Sequence, residues 1–251
     1  MCVLFLALDR HPRYPLVLAA NRDEFYRRPA APAAWWGDCP DVLAGRDLEA
    51  GGTWMGVTRA GRWAALTNVR DFRNPREGRV SRGVLVRDYL CGNEPPEGYA
   101  EAVSARLGDF AGFNLLVGDR TEVWYVSTHT DAPEALEPGL YGLSNATLGA
   151  PWPKVTRGLD GFRQALAADE PEPADFLAVL RDDTPAPDDR LPDTGIGRAW
   201  ERLLSSLFIV GEDYGTRASM ALLLDCEGGG RFVERTIQPG GVPGRIEDVR
   251  F

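Results

Sequence analysis

A cysteine follows the initiator methionine directly and stands at the head of an apolar run. Residues 2–8 and 15–21 are both rich in Val, Leu and Ala, and the short connection between them carries two prolines. This pattern predicts a β-hairpin at the amino end of the chain. The second strand would end at residues 21–24, whose polar side chains we expect to project from a sheet edge without burial.

Cys2 combines two chemical groups if Met1 is removed. Methionine aminopeptidase removes Met1 when the next side chain is small, and Cys2 meets that condition. The mature chain would then carry a thiol and an α-amine on one residue, and an α-amine titrates near pH ~8. It could therefore accept the thiol proton, as in enzymes with an N-terminal nucleophile. A cysteine in a strand is also commonly a core residue. Cys2 alone therefore does not distinguish a catalytic nucleophile from a core residue.

Further hairpins and helices follow along the chain. Strand pairs are predicted at residues 53–57 with 62–69, 112–117 with 122–126, and 221–225 with 231–236, and a short strand at 139–145. Helices are predicted at residues 81–90, 97–107, 154–167, 174–181 and 198–207, and loops at 44–52 and 183–197. Because helices occur in blocks between hairpins, we expect antiparallel sheets with helices on their outer faces. Residues 1–251 are interpreted as one α+β domain.

Composition excludes several classes of partner. The 251 residues have a formal net charge of −9, which argues against a nucleic-acid or anionic-membrane surface. No apolar run approaches the length of a membrane span, and residues 3–8 are too few for a signal peptide. The four cysteines lack paired spacing, so neither a zinc site nor a disulfide framework is indicated. We expect a soluble cytoplasmic protein without a cofactor.

Two motif-like stretches fail on their context. Residues 142–146 superficially resemble a serine nucleophile elbow, but both histidines, His11 and His129, precede Ser144, whereas that hydrolase order requires a later histidine. Residues 195–200 lack the third glycine and the preceding strand of a dinucleotide-binding loop. Two isolated histidines also argue against a metal site.

Polar residues at predicted strand ends form a more informative set. Its members are Cys2, Asn21, Arg22, Asp23, Asn68, Asn145 and Arg217. Taken singly, asparagine and aspartate cap turns and arginine solvates a surface. Taken together, they supply groups that the attack of a thiolate on an amide requires, because an asparagine NH₂ can donate a hydrogen bond to the oxyanion that forms. An aspartate can hold the α-amine, and a nearby arginine favours the thiolate.

Residues 21–24, Asn-Arg-Asp-Glu, together with several other segments, resemble the NRDE family, also called the transport and Golgi organisation protein 2 family. The similar segments are residues 1–2, 44–47, 51–56, 66–68, 81–83, 112–115, 143–145, 152–154 and 214–217. They extend over nearly the whole chain, and their joint occurrence is specific. The sequence is identified as a member of this family.

The family is similar in turn to N-terminal-nucleophile hydrolases of the choloylglycine hydrolase and penicillin V acylase type. This resemblance implies a four-layer αββα sandwich with Cys2 at the catalytic position. It also implies Asn68 as the oxyanion asparagine, Asn145 as a second asparagine and Arg217 as a late arginine. Those enzymes place an aspartate three residues after the arginine of the second strand, whereas Arg22 and Asp23 are adjacent here. A single alignment of the second strand with those enzymes therefore does not place both Arg22 and Asp23 at the positions that the arginine and the aspartate occupy there.

The first functional hypothesis is a cysteine amidase that cleaves a C–N bond in a small amide or acylated molecule. Cys2 would be the nucleophile and its α-amine the base, with Asn68 or Asn145 as oxyanion donors. Arg22, Asp23 and Arg217 would supply supporting charges. Glutamine amidotransferases also begin with Cys after Met, but they continue with glycine and isoleucine, where this chain has Val3 and Leu4.

The alternative hypothesis is a non-catalytic carrier on the same fold. Family members have been linked to haem trafficking and to acyl-CoA or lipid handling, so the resemblance implies haem or acyl-CoA as a cargo. The arginines would bind carboxylates or phosphates. An apolar pocket would be lined by Trp35, Trp36, Trp54 and Trp63. Cys39 with Pro40 resembles the short Cys-Pro motif of some haem-responsive proteins.

Overall fold

Two antiparallel sheets, stacked face to face, organise residues 2–251, which are the residues that this computed structural model describes. The first sheet, in spatial order, contains β10 (Gly139–Leu143), β1 (Cys2–Leu8), β2 (Leu16–Phe25), β11 (Tyr214–Leu224), β12 (Gly230–Gln238) and β13 (Val242–Arg250). The second contains β3 (Ala30–Trp35), β4 (Val42–Asp47), β5 (Met55–Thr58), β6 (Trp63–Asn68), β7 (Phe113–Gly118), β8 (Val123–Ser127) and β9 (Glu134–Ala135).

Helices cover the outer faces of both sheets. They are α1 (Gly83–Cys91), α2 (Pro96–Ser104), α3 (Pro153–Leu166), α4 (Pro173–Val179) and α5 (Arg198–Leu203). Apolar side chains of α1 and α2 pack on the second sheet, and those of α3 and α4 pack on the first. Within residues 2–251, none of these helices combines the length and apolarity that crossing a bilayer demands. The predicted four-layer αββα sandwich is confirmed.

The alternation of side chains along β1 shows how the layers are held together. Leu4 and Leu6 point into the core between the sheets, whereas Val3 and Phe5 point towards α3 and α4. Successive strand residues face opposite sides of a sheet. Because both sides of this sheet are covered, the strand requires apolar residues at every position, which explains the continuous run in the sequence.

Besides the two-residue β9, three longer strands escaped prediction from the sequence. β3 contains a proline and several alanines, β4 contains Gly45, and β13 is an edge strand with mostly exposed, polar side chains. All three have weak intrinsic strand preference. Pairing with neighbouring strands determines their conformation, and a single-sequence pattern does not contain that information.

The expectation that residues 21–24 project from a sheet edge without burial is wrong for three of the four. β2 continues to Phe25 and β11 begins at Tyr214, so the two strands pair along their full length. Asn21 and Asp23 are 0% and 1% exposed. These polar residues therefore lie inside the first sheet, where burial requires that each has a partner.

Candidate functional site

Cys2 opens β1 and pairs in register with Arg22 of β2. It lines a cavity of about 130 Å³ at one end of the sandwich. The other residues around this cavity are Arg22, Asp23, Glu24, Arg28, Asp47, Thr53, Trp54, Leu66, Asn68, Ser81, Arg82 and Gly83. Met1, whose removal the sequence predicts, lies outside the described residues. Below, this space is called the Cys2 cavity.

The two asparagines of the predicted site have different positions. Asn68 ends β6 and lines the Cys2 cavity. Asn145 is fully buried, and its side-chain NH₂ donates to the backbone carbonyl of Asn68 at 2.8 Å. The neighbouring Ser144 hydroxyl donates to the backbone carbonyl of Cys2 at 3.0 Å. The loop after β10 thus ties Cys2 and Asn68 together, although they belong to different sheets.

Arg22 and Asp23 lie on opposite faces of β2, as neighbouring strand residues must. The Arg22 guanidinium stacks over Trp54 with its carbon 4.1 Å from the ring centroid. Asp23 accepts a hydrogen bond from the Thr216 hydroxyl at 2.8 Å, and its backbone N–H adjoins the Cys2 thiol. Both residues therefore adjoin Cys2, one through its side chain on the inner face and the other mainly through its backbone.

Burial dominates the electrostatics of the Cys2 thiol. Desolvation raises the pKa of Cys2 above its usual value, and the Asp23 carboxylate acts in the same direction. The Arg22 guanidinium and the backbone N–H of Asp23 lower that pKa, but they do not cancel the effect of burial. The thiol is consequently protonated at neutral pH, and a base has to remove its proton before it can act as a nucleophile.

A buried lysine lies close to Asp23. Lys154, the chain's only lysine, is 2% exposed at the start of α3. Its Nζ has no hydrogen-bond partner within residues 2–251. Burial lowers the pKa of Lys154 to about 8 and raises the pKa of Asp23 to about 6, and each charge opposes the shift of the other. Asp23 and Lys154 therefore form a pair of opposite charges beside Cys2.

Arg217 is not brought into the Cys2 cavity. Its guanidinium donates to the backbone carbonyls of Phe25, Tyr26 and Arg28 at 2.9 to 3.1 Å. It lines a neighbouring cavity of about 470 Å³, which shares Arg22 with the Cys2 cavity. Arg217 thus fixes the turn that follows β2, and the position of Arg28 depends on that turn.

Several cavity residues were not assigned a role from the sequence. Arg28 forms an ion pair with Asp47 at 2.8 Å, and Arg82 donates to the carbonyl of Gly112 at 2.9 Å. Asp47 and Arg82, like Thr53, belong to segments that carried the family resemblance at residues 44–47, 51–56 and 81–83. The similarity of these separate segments to one family was the signal that the sequence offered. That they surround one cavity is visible only in the three-dimensional structure.

The charges of the Cys2 cavity are unevenly neutralised. Of its three guanidinium groups, that of Arg28 is paired with Asp47, whereas Arg22, 5% exposed, forms no ion pair among residues 2–251. A buried cation that forms no direct ion pair favours the binding of an anionic group. In the same part of the chain, no three His, Cys, Asp or Glu residues are grouped as metal ligands.

The expectation that four tryptophans line one pocket is wrong for three of them. Trp54 lines the Cys2 cavity, but Trp63 and Trp36 belong to the cores on the inner and outer faces of the second sheet. Trp35 packs edge-on against the ring of Phe251. Cys39 lies beside the Cys91 thiol, and it does not line the Cys2 cavity.

Comparison with known proteins shows the family to which the chain belongs. The family model described as Transport and Golgi organisation 2 matches residues 1–239. The chain belongs to this family. Its relatives include the Transport and Golgi organization protein 2 homologs of Bos taurus, 38% identical, and of Homo sapiens, 36% identical. The alignments cover 98% and 94% of this chain, and 96% and 93% of the two relatives.

Solved structures support the fold. A mutant of the conjugated bile acid hydrolase from Clostridium perfringens superposes with a TM-score of 0.56 over 99% of this chain and 92% of that one, at 11% identity. The Caenorhabditis elegans ortholog of N-acylethanolamine-hydrolyzing acid amidase gives a TM-score of 0.50 over 88% of this chain and 92% of that one, at 10% identity. This family member therefore shares the architecture of N-terminal-nucleophile hydrolases.

Proposed function

We propose that the chain is an N-terminal-cysteine amidohydrolase that cleaves the C–N bond of a small acylated molecule. The observation that carries this proposal is the position of Cys2. It stands at the head of a central strand and lines a cavity together with Asn68 and three arginines. The structural likeness to a conjugated bile acid hydrolase and to an acid amidase supports the proposal at the level of the fold.

The reaction would follow from the groups around Cys2. After removal of Met1, the Cys2 α-amine accepts the thiol proton and the thiolate attacks the amide carbonyl carbon. The Asn68 side-chain NH₂ donates to the resulting oxyanion. Breakdown of the tetrahedral intermediate breaks the C–N bond, and the α-ammonium returns the proton to the departing amine. Water then hydrolyses the thioester, which releases the carboxylic acid and restores the thiol.

The surrounding charges would keep these groups in place. An ionised Asp23 holds the α-ammonium, and Lys154 favours that ionised state because it is a buried cation beside the carboxylate. Asn145 acts through its hydrogen bond to Asn68 and therefore positions the oxyanion donor without touching the substrate. In this scheme Arg217 serves by fixing the turn after β2.

The three arginines that line the Cys2 cavity favour an anionic substrate. They also support a second candidate function, that of a carrier for an anionic ligand. The Cys2 cavity of about 130 Å³ is smaller than the roughly 300–1,000 Å³ typical of ligand pockets. The neighbouring cavity of about 470 Å³ shares Arg22 and Trp54 with it. Arg22, which forms no direct ion pair within residues 2–251, also supports the carrier alternative, in which haem or acyl-CoA would bind there through its acidic groups without reaction.

A substrate panel distinguishes the two candidates. N-acyl amino acids, acylated amines and simple amides are incubated with the wild-type protein and with Cys2→Ala, and release of amine is followed by mass spectrometry. The amidase proposal expects release that Cys2→Ala abolishes. A protein that releases nothing from the panel, yet binds haem or acyl-CoA with an affinity that Arg22→Ala weakens and Cys2→Ala leaves unchanged, supports the carrier instead. Loss of haem binding in the Cys39→Ala variant would place the haem site away from the Cys2 cavity.

A further inference from the structure

A third cavity, of about 540 Å³, lies at the other end of the sandwich. It is lined by Leu8, the last residue of β1, and by Leu16, the first residue of β2. Cys2 is at the opposite end of β1, so the two sites are roughly 20 Å apart along the strand. We call this space the distal cavity. The existence and lining of the distal cavity are independent of the function proposed for Cys2.

The inner wall of the distal cavity is apolar. Leu8, Leu16 and Leu224 come from the first sheet, and Val123 and Leu136 come from the β8 side of the second. The cavity falls within the roughly 300–1,000 Å³ range of pockets that enclose a small molecule. A ligand bound here would place apolar surface against these side chains.

The rim of the distal cavity is acidic. The acidic residues that line it are Asp9, Asp119, Glu122, Glu137 and Asp225. None of them forms an ion pair within residues 2–251, although 16 ion pairs occur in that part of the chain. The lining contains one cation, Arg120, whose guanidinium donates to the backbone carbonyls of Asp225 and Gly229, both at 3.0 Å. The rim therefore carries an excess of negative charge.

The carboxylates at this rim are held by local hydrogen bonds. Asp119 accepts from the backbone N–H of Thr121 at 2.7 Å, and Asp225 accepts from that of Gly229 at 2.8 Å. Glu122 accepts from the Trp124 indole N–H at 2.9 Å. A preorganised set of charges loses little side-chain entropy when a ligand binds.

We infer that the distal cavity binds a small amphiphilic cation, with its apolar body against the leucine wall and its ammonium group among the rim carboxylates. An anionic amphiphile would meet like charge at the rim, and a neutral one would leave the rim charge uncompensated. No group of three metal-ligating residues exists among the described residues, which favours an organic cation over a metal ion. The ligand class therefore differs in charge from the anion that Arg22 favours.

The test uses octyltrimethylammonium as the probe, below its micellar concentration, with octyl sulfate as the anionic comparison. Cys226 lines the distal cavity and Cys91 lies outside it, and both are exposed. Iodoacetamide labelling of each cysteine is followed by peptide mass spectrometry in the full-length protein. We expect the cation to slow the labelling of Cys226 and to leave Cys91 unchanged.

Charge variants identify the part of the cavity that is responsible. The double variant Glu122→Gln/Glu137→Gln should bind the cation roughly fivefold more weakly in calorimetry. The matched control Glu94→Gln/Glu97→Gln removes the same charge from two exposed positions outside the cavity, and it should bind as the wild type does. Equal binding of octyl sulfate, no protection of Cys226, or equal weakening in both double variants would overturn the inference.

Discussion

At the scale of single residues, burial opposes the chemistry expected of Cys2, because desolvation raises the pKa of its thiol. The Arg22 guanidinium acts against that effect, whereas the Asp23 carboxylate adds to it. Arg22 favours the thiolate, and Asp23 together with Lys154 forms a charge pair that would hold the α-amine. Reactivity in this account thus belongs to the arrangement of several side chains and not to the cysteine alone.

Asn68 provides the sharpest test of oxyanion stabilisation. Asn68→Ala should lower kcat about 10²–10³-fold, with little change in KM, because the hydrogen bond strengthens as charge develops in the transition state. The measurement is steady-state kinetics on the amide that the substrate panel identifies. The control Asn93→Ala removes an exposed asparagine outside the Cys2 cavity. Equal kcat in the two variants would rule out this role for Asn68.

Glu234 predicts a specific pH dependence of stability. It is 1% exposed, one carboxylate oxygen accepts from the Ala33 N–H at 2.8 Å, and burial raises its pKa from 4.5 to about 7. As pH rises through this window, the unfolded chain loses the proton first, so the native state loses relative stability. The free energy of unfolding of the wild type, relative to that of Glu234→Gln, should therefore fall by roughly 3 kcal/mol.

Denaturant unfolding of both proteins from pH 4.5 to pH 7 measures this difference directly. The exposed Glu97→Gln variant serves as the control, and its difference from the wild type should stay constant. A constant difference for Glu234→Gln as well would mean that the pKa of Glu234 is the same in the native and unfolded states, and it would contradict the prediction.

At the scale of elements, the clearest sequence patterns were the most accurately predicted. The hairpin of β1 and β2 was predicted because its strands are continuous apolar runs separated by a proline-containing turn. α3 was predicted within one residue at each end. The loop predicted at residues 44–52 is wrong for its first four residues, which belong to β4, because Gly45 and its polar neighbours have loop composition. Its strand conformation comes from pairing with β3 and β5.

The contact between α3 and β1 yields a prediction about packing. A Cβ atom at Gly158 would lie 2.2 Å from the Phe5 ring and 3.0 Å from Leu207. Gly158→Ala should therefore destabilise the protein by about 1–3 kcal/mol, despite the better helix propensity of alanine. Gly98 in α2 has no contact closer than 3.8 Å, and Gly98→Ala should stabilise by about 0.5–1 kcal/mol. Thermal or urea unfolding tests both, and stabilisation by Gly158→Ala would contradict this packing.

At the scale of the whole molecule, the two sheets share one core. The cluster between them contains Leu6 and Leu222 from the first sheet with Trp63 and Leu116 from the second. We expect one cooperative unfolding transition in urea, with tryptophan fluorescence and far-UV circular dichroism giving the same midpoint. Two separate midpoints would show that the sheets unfold independently.

The composition of the candidate site was partly accessible from the sequence. Cys2, Arg22, Asp23 and Asn68 were predicted and do line one cavity. Lys154 was given no role from the sequence, since nothing in a linear sequence shows that α3 brings it beside β2. Asn145 and Arg217 were expected to serve the reaction directly, whereas the structure shows one holding Asn68 and the other holding a turn.

The most direct test of the central claim is the reactivity of Cys2 in the purified protein. Mass spectrometry first determines the amino end, and iodoacetamide labelling then gives a rate for each cysteine as a function of pH. We expect a chain that begins at Cys2, with Cys2 labelled faster than the exposed Cys91 at neutral pH. This advantage should disappear below about pH 6, where Asp23 becomes protonated. A retained Met1, with Cys2 labelled more slowly than Cys91 at every pH, would contradict it.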